Sequence, residues 1–497
     1  MKKLVHIVFV FFSFICNVFS QNDLDVLRYS QPTIGGDARF MSLGGSMGAL
    51  GANLSSVNIN PAGLGLYRKG EFNVSAGLQT TTSRSIYNST ATNDFKTNLY
   101  IGSLGIAFAW EEESPFKDET SRKKFKNWSR RHVASFTFNK LNQFHQNITI
   151  RGNAFQQSIM NDFLSAAQNY APSQLNPFYE GLAFNTYLID TMPGSLTDYG
   201  TYFYLDKTFS HQKNIYQSGG VNSYGFNYSY ALDNKHYFGA SVGVLSGKWN
   251  YDSVFEETDS GDSTEYFKKL KLFETIQTRS TGINLKLGYI ARLSEFIRVG
   301  VYAHTPTTLT LTDSYSNKIE VTYDSLFGQK NVFLIDSSGA GNFKYKIKTP
   351  FKAGLSIAFI FKKYFSVNAD AEYIDYQKGN LSSKTYSFNE VNGNIQKKYT
   401  STINYKFGFE WNISPFAIRL GYAAFGSPLG NSFSGFNSNQ FYTAGVGWKF
   451  KENRYIDVAI VYRNWKENYY MFNPAYVNIS NLSFNRIVLQ GSYVFRF

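Results

Sequence analysis

A two-residue alternation of large apolar side chains with polar or small ones runs through most of this sequence, and it limits the fold more than any motif does. Between residues 403 and 412, Ile403, Tyr405, Phe407, Phe409 and Trp411 share one parity, while Asn404, Lys406, Gly408, Glu410 and Asn412 share the other. The last stretch repeats the pattern, with Ile487, Leu489, Tyr493, Phe495 and Phe497 set against Arg486, Val488, Gln490, Ser492, Val494 and Arg496. Successive side chains of a strand point to opposite faces, so each such strand carries one wholly apolar face. A soluble sandwich would need a second sheet to hide that face. A transmembrane barrel turns it to lipid and turns the polar face to the lumen. An arginine facing lipid at the bilayer midplane costs roughly 2 to 4 kcal/mol, which assigns Lys406, Arg419 and Lys449 to the lumen.

The N-terminus sends the chain to a membrane by export. Lys2 and Lys3 precede an apolar run, and Val18 and Ser20 stand at −3 and −1 before Gln21, the pattern of a cleaved signal over residues 1–20. The run falls short of the ~20 residues a membrane anchor needs. Cys16, the only cysteine, lies within the signal, and Ile15 is too large for lipoprotein cleavage before it. The mature chain therefore has neither a disulfide framework nor a cysteine metal site. No later stretch approaches ~18 consecutive apolar residues, yet aromatics reach 18% while mean hydropathy is only −0.29. Alternating barrel strands produce that combination. In an exported protein the net charge of +13 points to anionic lipid or a polar pore lining, and away from nucleic acid.

Fourteen candidate strands can be placed between residues 71 and 497, the third at 131–151, the seventh at 297–312 and the eighth at 343–361. Their connections alternate between short turns, such as Asp233-Asn234-Lys235 and Ser414-Pro415, and long polar loops, such as 313–342 and 381–399. That asymmetry is expected of outer-membrane barrels, with short periplasmic turns and long external loops. The fold expected is an all-β transmembrane antiparallel barrel of about fourteen strands over residues 71–497. The stretch 21–70 precedes it and contains Gly35 to Leu66, a run rich in Gly, Ala and Ser with an Asn60-Pro61 turn. So poor a core of its own suits a plug, or hatch, folded inside the lumen.

Three stretches depart from the pattern. The connection 111–131 is long and charged where a short turn is expected, and reads either as a solvated loop or as a partner-docking segment. In the external insert 152–218, Phe155, Ile159, Phe163, Ala167 and Tyr170 recur at helical spacing. That helix either packs on other loops or walls an apolar entry groove built from Phe155, Ile159 and Phe163. In the third strand, Leu141 breaks the outward phase of Phe136 and Phe138, so Asn139, Lys140, Leu141, Asn142 and Gln143 mark a bulge or kink, ordinary or functional.

Signals for catalysis are weak. The histidines are scattered, and Gly44, Gly45, Gly48 and Gly51 precede no strand–helix unit that would cradle phosphate. Asp259, Asp262 and Glu265 share a polar loop without the ligand spacing of a calcium site. No catalytic residue, metal or cofactor is expected.

The Gly44-Gly45 pair followed by Asn58-Ile59-Asn60-Pro61-Ala62-Gly63-Leu64 resembles the start of outer-membrane transporters for hydrophobic compounds, the long-chain fatty acid (FadL/TodX-type) family. Thr349-Pro350-Phe351-Lys352-Ala353-Gly354-Leu355, the run Ala371 to Tyr376, and Arg419-Leu420-Gly421-Tyr422 with Gly426-Ser427-Pro428 fit the same family. The resemblance implies a 14-stranded barrel with an internal hatch in the outer membrane of a Gram-negative bacterium, acting as a monomer. It implies passive uptake of apolar molecules, such as fatty acids or hydrocarbons, and sideways release through a gap where strand three kinks. Asn60, Pro61 and Ala62 would sit near that gap, and Gly44 and Gly45 would belong to the hatch. The competing expectation is a structural or secretion-associated barrel that docks protein partners.

Overall fold

The computed structural model describes residues 23–112, 129–203, 205–259, 261, 266–430 and 439–497. The signal, most of the 111–131 connection and most of the acidic loop at 259–265 lie outside the described residues.

The wall is an antiparallel barrel of fourteen staves. Around it run β1 (Glu71–Tyr87), β2 (Thr90–Glu111), a third stave in two pieces, β3 (Arg130–Gln143) and β4 (Gln146–Phe155), then β5 (Thr208–Leu232), β6 (His236–Asp259) and β7 (Phe267–Arg292). The seventh stave is β8 (Ile297–His304) continued by β9 (Thr308–Leu326), whose outer end carries an added strand, β10 (Gln329–Ser337). The eighth is β11 (Gly341–Lys348) continued by β12 (Lys352–Phe361). The rest are β13 (Phe365–Asp375), β14 (Ser401–Ile413), β15 (Phe416–Phe425), β16 (Asn439–Lys451), β17 (Arg454–Tyr469) and β18 (Ser480–Arg496). Pairing of β18 with β1, Arg496 opposite Glu71 and Leu489 opposite Leu78, closes the barrel. That pairing removes the two edges that β1 and β18 would otherwise present to the bilayer.

Side-chain burial follows the alternation. On β14, Ile403, Tyr405, Phe407, Trp411 and Ile413 are exposed, whereas Asn404, Lys406 and Glu410 are buried. Arg419 on β15 is buried too, and Lys449 is exposed near the short-turn end of β16. This apolar band covers about as many residues as a tilted strand needs to cross the membrane, ~9–11. Strands β6 and β7, with 24 and 26 residues, are more than twice that length, so their outer halves stand beyond the bilayer.

The outer halves correct two sequence expectations. Residues 313–342 are not a polar loop but the β9–β10 hairpin and the start of β11. The external insert runs only from 156 to 207, because β4 and β5 continue to Phe155 and from Thr208. The physical reason is that hydrophobic parity inverts at the membrane boundary. Within the band of β7 the outward Ile283, Leu285 and Leu287 are apolar; above it the inward Leu270 and Leu272 are buried and the outward Gln277 and Arg279 are exposed. Water replaces lipid outside, so the apolar face must turn in.

It turns in onto a capping core. Helix α3 (Ile159–Ala167) and helix α4 (Glu180–Asn185) pack with Phe209, Phe255, Phe267, Leu270 and Tyr323 from the extended strands. An ion pair built on a buried lysine ties this cap together: Lys213 Nζ donates to Glu274 Oε2 at 3.0 Å and to the Met471 carbonyl at 3.0 Å. Burial opposes the charge on Lys213, but Glu274 outweighs it and holds the ammonium well above its usual value. Burial likewise opposes ionisation of Glu274, and Lys213 holds that carboxyl below its usual value. The carboxylate contribution is thus complete above the ordinary value of ~4.3 and is lost as pH falls through the depressed one. Hydrogen exchange of α3, corrected for intrinsic rates, is expected to stay slow from pH 8 to about 5 and to quicken below about 4. In Glu274→Gln it is expected to be fast already at pH 7, since leaving the buried lysine without its carboxylate costs about 3 kcal/mol.

A hatch inside the barrel and a break in its third stave

The segment before β1 is folded into the lumen as helix α1 (Asp23–Ser30), helix α2 (Ala38–Ser42) and two 3-10 turns, Ser55–Asn58 and Pro61–Leu66. Short pieces are what this sequence permits. Asp37 caps α2 by accepting from the Phe40 amide at 2.9 Å. Gly44 and Gly45, at φ +63 and +72, end it. A Cβ on Gly44 would also come within 3.1 Å of the Tyr422 backbone, so the turn lies directly on the wall.

Buried polar contacts dock the hatch on several sides. Arg39 forks onto Glu410 of β14 at 2.9 and 3.0 Å. Glu410 also accepts from Arg419 Nε at 2.6 Å, and Arg419 in turn reaches Asp457. The Gly48 amide donates to Asp370 at 3.1 Å, the Ala38 amide to Ser492 at 2.7 Å, and Thr443 to the Ser42 carbonyl at 2.8 Å.

Asn60 is wholly buried. Its Oδ1 accepts from the Ala62 amide at 3.0 Å, and its Nδ2 donates to the Gly48 carbonyl at 2.8 Å and lies 3.3 and 3.4 Å from the carbonyls of Tyr289 and Val301. His304 Nε2 is 2.7 Å from the Ile59 carbonyl. The fit depends on wall glycines: a Cβ at Gly288 would overlap Asn60, one at Gly239 would overlap Ala62, and one at Gly300 would lie 2.6 Å from the Gly48 carbonyl. Asn60, Pro61 and Ala62 therefore sit against β6, β7 and β8. That corrects their expected place beside the third-strand gap.

The gap itself is at the third stave. Strand β3 pairs with β2 only as far as Asn139 opposite Ser103. Beyond that point β2, from Thr90 to Gly102, pairs with β1 alone. Strand β4 pairs with β5 alone and swings into the lumen over β1. There Ser83 and Ser85 donate to the carbonyls of Asn147 and Thr149 at 2.7 and 2.6 Å, and Asn88 donates to that of Asn153 at 2.9 Å. These side chains stand in for the missing neighbour strand. The register against β5 slips between Lys140 and Asn142, inside the predicted kink, and the strand is interrupted at Phe144-His145, just past it.

A slot without backbone pairing is left between the outer half of β2 and the wall, crossed by side chains: Thr149 donates to Asp94 at 2.8 Å, Asn147 to the Phe95 carbonyl at 3.4 Å and Asn98 to Gln143 at 3.0 Å. Its β2 side carries Phe95, Leu99 and Ile101, all exposed, with Leu99 level with Leu78 and Leu489 in the lipid-facing band. Behind the slot the kink meets the hatch. Thr33 donates to the Leu141 carbonyl, Ser55 to Asn139 at 3.1 Å, and a Cβ on Gly35 would overlap the Lys140 carbonyl. The hatch residues at the kink are thus Thr33, Gly35 and Ser55, which sequence reasoning missed; contacts through backbone leave no periodic signal. Between them lies a cavity of about 50 Å³, lined by Ile34, Met41, Tyr100, Val461 and Val488 with Lys140, Arg463 and Arg486. An apolar cavity that takes up benzene measures about 150 Å³. The site is closed.

The expected external groove is not formed. Ile159 and Phe163 are buried in the cap, Phe163 with its ring 4.7 Å from that of Tyr179, whereas Phe155 ends β4 and is exposed. The helix packs because Ser158 and the Glu257 carboxylate cap its start, Glu257 accepting from the Ile159 amide at 2.9 Å.

Fourteen staves, a lumen filled by the N-terminal segment and one stave broken at membrane height define an outer-membrane barrel with an internal hatch. Among solved structures the chain is similar to the toluene transporter TbuX of Ralstonia pickettii, with a TM-score of 0.51 and 14% identity over 93% of this chain and 99% of that one. It is similar also to a FadL homologue of Pseudomonas aeruginosa, with a TM-score of 0.50 and 10% identity over 94% and 100%. At such identity the likeness is one of fold. No family model and no curated protein matches the chain.

Proposed function

We propose that the protein takes up hydrophobic small molecules passively across the outer membrane, with the hatch as gate and the third-stave slot as a sideways exit. The observation that carries this reading is the unpaired outer half of β2, which stands at the height of the lipid-facing band in front of a hatch-lined cavity. An apolar chain gains ~0.8 kcal/mol for each CH₂ that leaves water. Sideways release into lipid keeps that gain, and an aqueous lumen would forfeit it. A filled lumen by itself suits a scaffold barrel equally; the slot favours transport.

The finer reading is an apolar chain with an anionic head, such as a long-chain fatty acid. It is supported by Arg463 and Arg486 beside the apolar lining, neither of which makes an ion pair among the described residues.

The test is uptake of labelled oleate and of a labelled alkane into proteoliposomes. Transport above that of protein-free vesicles is expected for the wild type. Ser83→Val with Ser85→Val removes two hydroxyls that hold β4 inward, each worth about 1 kcal/mol. Uptake by that variant is expected to drop about tenfold while assembly is unchanged. Wild-type vesicles no faster than empty ones would overturn the proposed function.

A further inference from the structure

Above the lipid-facing band, one outward sheet face carries five exposed cations: Lys248 on β6, Arg279 on β7, and Lys344, Lys346 and Lys348 on β11. The registers set them out as an L. Lys248 stands opposite Arg279, Arg279 opposite Thr312, and Thr312 opposite Lys344, which makes one horizontal row across four strands. The three lysines alternate with the buried Tyr345 and Ile347, so they form a vertical column down a single strand. The column ends at the bilayer: Lys348 is opposite Thr308, which is opposite Ile283, an exposed residue of the apolar band. At ~3.3 Å per residue the row lies about 13 Å further out along the strand.

None of the five makes an ion pair among the described residues. Two acids nearby on that face are already engaged, Asp252 by the Thr275 hydroxyl at 3.1 Å and Asp375 by the Gln377 amide at 3.2 Å. Thr308, Thr310 and Thr312, opposite the three lysines, put hydroxyls at the same three levels.

We infer that this face binds the phosphorylated headgroup of an outer-leaflet glycolipid whose acyl chains lie against the adjacent apolar band. The charge is complementary, and the patch is continuous with the lipid-contacting surface and spans a headgroup's depth directly above it. A cation near an anionic lipid surface contributes about 1 kcal/mol, so the column acts as a set. The inference is independent of what the barrel transports.

Native mass spectrometry of the full-length protein in a neutral detergent tests it, with diphosphorylated lipid A, dephosphorylated lipid A or phosphatidylcholine added in parallel. The wild type is expected to bind the diphosphorylated lipid at least tenfold more tightly than either other lipid, and less tightly as salt rises. Lys344→Gln, Lys346→Gln and Lys348→Gln together are expected to weaken that binding on the order of 100-fold. These side chains face outward, away from the buried Tyr345 and Ile347, so assembly should survive. Should the triple variant not assemble, Lys344→Gln alone is expected to weaken binding about fivefold. Equal binding of all three lipids, or a variant that keeps wild-type affinity, would overturn the inference.

Discussion

Glu410→Gln is expected to unlatch the hatch while leaving the barrel standing. Glu410 is the carboxylate shared by Arg39 of the hatch and Arg419 of the wall, at 2.9 and 2.6 Å, and it is buried. The amide keeps the shape and removes the charge, so Arg39 loses its carboxylate partner while Arg419 keeps Asp457. Breaking a buried ion pair from one side costs about 3 to 5 kcal/mol, which raises the undocked population by roughly two to three and a half orders of magnitude. The wall should not suffer, because the β14–β15 ladder runs through backbone groups. Planar bilayers are expected to show ion conductance for the variant and none for the wild type. A cysteine placed at Ser46, buried in the hatch, is expected to react with a soluble maleimide far faster in the variant background. Silent bilayers and unchanged labelling would mean that Asn60 and its neighbours hold the hatch unaided.

The hatch also shows where sequence reasoning reaches and where it stops. Strand β14 was legible, the alternation read between residues 403 and 412 falling within the strand's 401–413, because lipid on one side and the hatch on the other force strict alternation. The same rule, applied above the membrane, misassigned the β9–β10 hairpin as a loop, since outside the bilayer the apolar face is the inner one. The kink was legible because Leu141 breaks phase. Its partners on the hatch were not, since Thr33, Gly35 and Ser55 act there through backbone and short side chains that any turn could contain. The Asn60-Pro61-Ala62 motif was legible as hatch, but its address was not. Gly239, Gly288 and Gly300 read only as small lumen-facing residues, and nothing in their spacing says which wall the asparagine will meet.

Arg463→Gln with Arg486→Gln is expected to separate the head of a substrate from its chain. Both guanidinium groups line the small cavity behind the slot, and their hydrogen-bond partners are neutral: Arg486 donates to Thr81 at 3.0 Å and to the Gln143 carbonyl at 3.2 Å, and Arg463 donates to Asn439 at 3.1 Å. Each retains charge with no carboxylate bonded to it. A ligand carboxylate arriving there would make charge-assisted hydrogen bonds worth about 1.5 to 3 kcal/mol apiece. Replacing both cations by neutral amides removes that attraction and breaks no direct ion pair, and Glu467 nearby keeps its hydrogen bond from Trp465 at 2.8 Å, so assembly should hold. Oleate uptake into proteoliposomes is expected to fall about 100-fold, and uptake of an alkane of similar length is expected to change less than twofold, since its contacts with Ile34, Met41, Val461 and Val488 remain. Equal loss for both would place the arginines in the movement of the hatch, because only a gating defect is blind to the headgroup. No loss for either would take the cavity off the transport path and leave the slot to be reached by another route.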